Sequence, residues 1–373
     1  MTVRRLVRPA VTLLVVVLLA LLPELQVNLP GVLPGPTWTP GTEQLLASCL
    51  LIGALAVTYN LLFAVTGLLS FGHALYFAIG CYVFAILLQR EHLALLPAAL
   101  LTLLVGAAVS VLVGLVSLRV TGIAFAMVTL AFAQAGAVLV ARNTGGLTGG
   151  EEGLGLSSAK LPDALVGVDN TQNLYWLALV VAVVVLAVVG WVVGSRAGHL
   201  MRAVRDNELR VRVLGIRPYL VRLISFGTAG TLATVAGMAY LLVQGGANPQ
   251  LTTSSFTLTL LVMVVLGGLG SRWGAMLGGV LYTLLDQRLG VLAASSRIAD
   301  LPGPLRVPLS QPTFLLGALF VIVVLFLPGG ITGTLGRLTG RRGDRGLPVA
   351  DRVGRSGAAR PGPQPSGPEP VDA

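Results

Sequence analysis

A chain of 373 residues that is 55% hydrophobic and only 11% charged lacks the polar surface of a water-soluble globule, where about a quarter of residues are charged. The formal charge of +10 rests on 24 Arg and a single Lys, Lys160, lying between and beyond apolar runs; that points to membrane orientation and away from nucleic acid. Cys49 and Cys81 sit inside apolar runs, and the three His show no HxxxH or HExxH spacing, so neither a disulfide framework, a metal site nor a cofactor is expected.

Apolar segments recur near residues 10–22, 45–66, 73–89, 93–117, 121–141, 174–194, 220–243, 256–268, 273–288 and 313–327. About 20 apolar residues span a bilayer as a helix, and backbone groups in lipid must be satisfied internally. The expected fold is therefore all-α: a polytopic integral membrane protein with about ten transmembrane helices. The first segment follows Arg4, Arg5 and Arg8 as a signal peptide would, but Pro23 and Glu24 follow it in place of a small-x-small cleavage site. A retained helix and an outer loop are expected over residues 1–44, the membrane domain over 45–335, and a disordered tail rich in Arg, Pro and Gly over 336–373. With the N-terminus inside and the crossings alternating, 19 of the 25 basic residues fall inside and six outside, as the positive-inside rule demands. Both termini are then cytoplasmic.

Gly interrupts the apolar pattern at Gly67-Leu-Leu-Ser-Phe-Gly-His73 and again at Gly267-Gly-Leu-Gly-Ser-Arg-Trp-Gly274. Such breaks are either tight turns between spans or irregular backbone lining a wet cavity. Gly274 and Gly278 form a close-packing pair, and Gly230, Ala233 and Gly237 form one small-residue helix face suited to packing. Intramembrane polar residues are few: Asn60, Thr66, Ser70, His73, Thr129, Gln134 and Asp286. His73, near a segment end, reads as an interfacial histidine or as a proton carrier. There is no buried chain of carboxylates to run an ion-coupled pump.

The outer loop from Arg142 to Asn173 carries Glu151, Glu152, Asp163 and Asp169. The inner loop from Ser195 to Tyr219 is too polar to span lipid, repeats Leu200, Ala203 and Val204 at helical spacing, and stops at Gly215 and Pro218. It reads as a short amphipathic helix on the cytoplasmic side, resting on headgroups or docking a cytoplasmic partner; the internal Asp206-Asn207-Glu208 favours docking, since acids gain nothing from an anionic membrane. A phosphate-binding loop needs Lys before Ser or Thr, and Lys160 is followed by Leu161. No catalytic constellation is present, so the chain is expected not to be an enzyme, and active transport would need a motor on another polypeptide.

Five stretches then carry a resemblance: Thr66–His73, Gly122–Gln134, Thr148–Leu154, Arg202–Glu208 with Leu214-Gly-Ile216, and Met263–Ser271. In this order they resemble the permeases of branched-chain amino acid ABC importers, the second of the two homologous subunits. The resemblance covers roughly residues 45–335. It departs from the family pattern at His199, where Arg is expected, and at Glu151-Glu152, where a small polar residue and Asp are usual. It implies a permease in a bacterial inner membrane, paired with a homologous permease, two cytoplasmic ATP-binding subunits and an extracellular solute-binding protein, with lipid around it. The solute would be a branched-chain or other hydrophobic amino acid; urea or a short amide, and an ion-coupled transporter of another class, are the alternatives. Arg202, Ala203, Arg205, Asp206, Asn207 and Glu208 would meet the ATPase. Ser70, Gly72, His73, Thr129, Gln134, Gly267 and Gly268 would line the pathway.

Overall fold

The computed structural model describes residues 14–25, 33–91, 93–156, 161–167, 170–293, 311–326 and 329–338. Residues 10–13 of the expected first crossing and, from residue 339 on, the expected disordered tail lie outside them, while residues 14–21 of that crossing are helical. The chain divides after Thr334, and the fold described here is that of the first part.

Among the described residues beyond residue 21, twelve α-helices carry the architecture: α1 (Pro40–Asn60), α2 (His73–Gln89), α3 (Leu95–Ser117), α4 (Ile123–Ala141), α5 (Thr171–Gly194), α6 (Arg196–Asp206), α7 (Glu208–Val213), α8 (Pro218–Gln244), α9 (Ser254–Gly267), α10 (Arg272–Ala293), α11 (Pro312–Phe326) and α12 (Gly330–Leu338). A π-helical stretch, Leu61–Thr66, continues α1. Among the described residues the one paired β element is an antiparallel ribbon of β1 (Leu154–Gly155) and β2 (Gly246–Ala247), with Leu154 opposite Ala247. Pro40 and Pro218 open α1 and α8 at their first positions, where a missing N–H breaks no helical bond. Gly67, at φ +78°, closes the π stretch in the left-handed conformation that glycine adopts freely.

Each expected apolar segment beyond the first corresponds to a helix, but the count of ten is not confirmed. Among the described residues five helices are long and apolar enough to cross a membrane, counting α1 with its π extension, and six if α9 and α10 make one span. The expectation of two separate crossings at 256–268 and 273–288 gives way to a pair bent by 119°. The physical reason is the run Gly267–Gly270, where Gly268 (φ +112°) and Gly270 (φ +82°) reverse the chain. His73–Gln89 and Pro312–Val323 are apolar but shorter.

The helix that organises the bundle is α1. With its π extension it is 94% buried over its most apolar window, packed on α5, α8 and α10, whereas α3 and α4 are each 28% buried. The outer faces of α3 and α5 show Leu100, Leu104, Leu112, Val180 and Trp191 outward, as lipid requires. Small residues permit the tightest crossings. A Cβ on Gly237 of α8 would lie 2.1 Å from the Phe77 carbonyl of α2, and one on Gly80 of α2 would lie 2.2 Å from the Thr234 carbonyl. Likewise a Cβ on Gly278 would meet the Met263 carbonyl at 2.0 Å, so the close approach expected at Gly274 and Gly278 holds α10 against α9.

Candidate functional site

The loop between α5 and α8 is two short helices, and the expectation of a single one is corrected at Asn207. There the backbone leaves the helix (φ −161°, ψ 100°), and the side chain accepts a hydrogen bond from the Arg210 amide at 3.0 Å, capping α7. Ser195 caps α6 in the same way, accepting from Gly198 N at 3.4 Å. The inner face of the pair is Gly198, Met201, Val204 and Val211, all buried. Ala203, expected at the core-facing spacing, is exposed.

Of the residues expected to meet a motor, three are tied inward. Arg202 donates to the Val193 carbonyl at 3.0 Å, closing the end of α5. Arg205 lays its side chain across Gly67 and donates to the Ala64 carbonyl in the π stretch, while also pairing with Asp206 at 3.1 Å. Glu208 joins Arg212 at 2.8 Å and Arg222 of α8 at 2.7 Å. Asp206 points outward, and α7 with the turn after it exposes Leu209, Val213 and Leu214 by 69, 87 and 76%, an apolar edge that sequence reasoning missed. The signal was present: four apolar residues, Leu209, Val211, Val213 and Leu214, alternate with charge, and one inner position, Val211, cannot take them all inward.

Beneath this element runs a buried polar seam. Thr66 Oγ1 donates to the Leu61 carbonyl at 3.0 Å; its one proton being spent there, Ser225 of α8 donates to it at 2.5 Å. Asn60 Oδ1 accepts from the amide of Gly270 at 3.1 Å, joining the end of α1 to the second glycine-rich break. Thr58 donates to the Leu55 carbonyl at 2.7 Å, so the 2.8 Å contact between Thr58 Oγ1 and His73 is made by a proton on Nε2 of the histidine. Nδ1 is then an acceptor, buried without a partner among the described residues, as is the hydroxyl of Tyr59, whose ring lies 5.4 Å from the imidazole. The histidine is fully buried within the protein.

Ser70, Gly72 and Thr129 come together. Thr129 Oγ1 accepts from the Phe71 amide at 3.1 Å, Ser70 Oγ from the Gly72 amide at 3.2 Å, and a Cβ on Gly72 would lie 2.5 Å from the Thr129 carbonyl. Gln134 does not join them. It is exposed farther along α4 and donates to Ser254 of α9 at 2.9 Å. Gly267 packs on Gly274, and its carbonyl accepts from Thr332 at 2.8 Å; Gly268 abuts the same threonine. Thr58, Ser225 and Thr257, which accepts from the Ala74 amide at 3.1 Å, were missed in the sequence, because a lone hydroxyl in an apolar run gives no sign of a partner far along the chain.

At the other end of α8, about 40 Å away for a helix of 27 residues, lies a cleft of about 570 Å³. Glu151 and Glu152, beside the β1–β2 ribbon, share its wall with Tyr240, Gln244, Asn248 and Gln250. Asn143 (φ 45°) holds the preceding turn, its Oδ1 accepting from the amides of Thr148 and Gly149 at 2.9 and 3.0 Å. The molecule thus has two unlike faces: a basic, helical, partly apolar element at one end, and an acid-lined cleft at the other.

A permease protein LivM of a high-affinity branched-chain amino acid transport system, from Salmonella typhimurium, is 27% identical over 303 residues, covering 74% of this chain and 66% of the relative. The chain therefore spans just under two thirds of that protein's length. The permease protein LivH of the same organism is 25% identical over 295 residues, covering 75% of this chain and 90% of LivH. A likeness to PsaBC from Streptococcus pneumoniae in complex with Fab, 15% identical with a TM-score of 0.37 over 80% of this chain and 95% of that one, is too distant to bear on the fold. The family described as the permease component of the branched-chain amino acid transport system matches residues 41–324, and the chain, a multi-pass membrane protein, belongs to it.

Proposed function

We propose that this chain is a permease subunit of an ABC importer that carries branched-chain or similar hydrophobic amino acids, with ATP hydrolysed on a separate polypeptide. The observation that carries the reading is the α6–α7 element. It offers an exposed apolar edge to a partner and is fastened, through Arg205 to Ala64 and Glu208 to Arg222, to the two helices that meet at the buried polar seam. A push on it is thereby delivered to α1 and α8 together, as a rigid lever requires.

On this reading the chain sits in a bacterial inner membrane with α6–α7 and both termini cytoplasmic, the permease domain runs from about residue 45 to 335, and residues 336–373 are a cytoplasmic tail. It pairs with a homologous permease; of the two ATP-binding subunits that dock beneath the pair, one meets α6–α7 of this chain, and a solute-binding protein delivers cargo at the acid-lined cleft. The pathway passes Ser70, Gly72, His73, Thr129 and the Gly267–Gly268 bend; Gln134 belongs to its outer part.

The test is reconstitution with the candidate ATP-binding subunits. Leu209→Asp with Val213→Asp should abolish their co-purification and ATP-driven uptake while leaving the permease folded. Undiminished association, or uptake by the chain alone on an ion gradient, would refute the reading.

A further inference from the structure

A second cleft, of about 460 Å³, opens beside the coupling element between the Gly67–Gly72 bend, the end of α3 and the start of α4. Leu69, Phe71, Leu118, Ile123 and Met127 make its wall apolar, and Arg222 is the one charged residue lining it. Nη2 of Arg222 holds Glu208 at 2.7 Å, but its Nε is buried with no acceptor among the described residues. The first turn of α4 also opens here. Gly122, at φ +64°, is its cap and no side chain accepts from the first-turn amides, so the positive end of a 19-residue helix faces the same space. A guanidinium in the wall, an uncapped helix start and a lining without an acid favour an anion here, with Glu208, held by Arg222 at 2.7 Å, as its competitor.

The mouth of the cleft says which anion. Ile123 and Met127 on its rim are 79 and 57% exposed, and the end of α3 leading to it shows Leu112 and Val116 outward at 60 and 52%. An apolar rim continuous with lipid-facing helices admits a molecule from the bilayer, not one from water. We propose that this cleft binds an anionic phospholipid of the leaflet on the α6–α7 side, its phosphate on Arg222 and the start of α4, an acyl chain along Ile123 and Met127. Because the same guanidinium holds Glu208, the lipid's charge shares a partner with the coupling element and sets how firmly that element is fastened. This last consequence rests on the proposed importer function; the site itself does not.

Ile123→Trp places a reporter at the rim, in addition to the four native tryptophans. The reconstituted permease complex, with and without this change, is compared in phosphatidylcholine vesicles containing brominated phosphatidylglycerol or brominated phosphatidylcholine. The added fluorescence should be quenched several-fold more effectively by the anionic lipid, and Arg222→Gln should bring the ratio close to one. Equal quenching by the two lipids in the protein that keeps Arg222 overturns the proposal, and needs no change at position 222. A preference that survives Arg222→Gln overturns it as well. An absence of ATP-driven uptake in the complex that keeps Arg222, with the lipid preference present, would instead count against the importer reading.

Discussion

Arg205→Ala should uncouple the molecule, and its neighbour should not. The Arg205 side chain lies over Gly67, with Cγ 2.6 Å from where a Cβ on that glycine would be, and its guanidinium donates to the Ala64 carbonyl. A hydrogen bond from a charged group contributes about 1.5–3 kcal/mol, which is roughly ten- to a hundred-fold in the equilibrium between fastened and released α6. The pair with Asp206 is different: its side chains are 42 and 67% exposed, and such surface pairs contribute about 0.2–1 kcal/mol, at most roughly fivefold. Uptake and ATP hydrolysis measured together in proteoliposomes decide between them. Arg205→Ala should lower uptake per ATP by at least about tenfold, and Asp206→Asn by far less. Gly67→Ala should act through the same contact, adding about 1–3 kcal/mol of strain at φ +78°, so the double variant should fall short of the sum. Equal effects of Arg205→Ala and Asp206→Asn, or strict additivity with Gly67→Ala, would refute the linkage.

Thermal unfolding in detergent should separate the two partners of Glu208: Arg212→Gln, at a 64% exposed side chain, should change stability by no more than about 0.5 kcal/mol, and Arg222→Gln, at 16%, by about 1.5–3 kcal/mol. Gly237→Ala forces a Cβ onto the Phe77 carbonyl and should destabilise by about 1–3 kcal/mol or more, while Gly290→Ala, with nothing near its Cβ, should be neutral or stabilising by up to about 1 kcal/mol. Thr58→Ala strands the buried Nε2–H of His73 and should cost about 1–3 kcal/mol, and less once His73→Ala has removed that donor; the same cost in both backgrounds would show that the 2.8 Å contact is not made in solution.

The α6–α7 element was largely legible because its signals are local. Gly215 and Pro218 stop it, and charge keeps the stretch out of lipid; the break at Asn207 escaped, since a capping residue inside an amphipathic run reads as one more polar position, and so did the exposed edge of Leu209, Val213 and Leu214. The polar seam was half legible. Asn60, Thr66, Ser70, His73 and Thr129 stand out against apolar neighbours, but the separations that give them meaning, 60 to 270, 66 to 225 and 58 to 73, are set by packing.

The sequence by itself determined that apolar runs become helices in a bilayer, because lipid offers backbone groups no other partner, and it determined which loop is too charged to enter. It did not determine which helix lies at the centre. α1 is 94% buried and α3 28%, though both are apolar throughout, because lipid tails and protein interior are equally apolar solvents and hydropathy cannot tell them apart. Tertiary structure made that choice through shape: glycines such as Gly53, Gly80 and Gly237 let backbones meet, and the bulkier faces of α3 and α5 were left to the lipid.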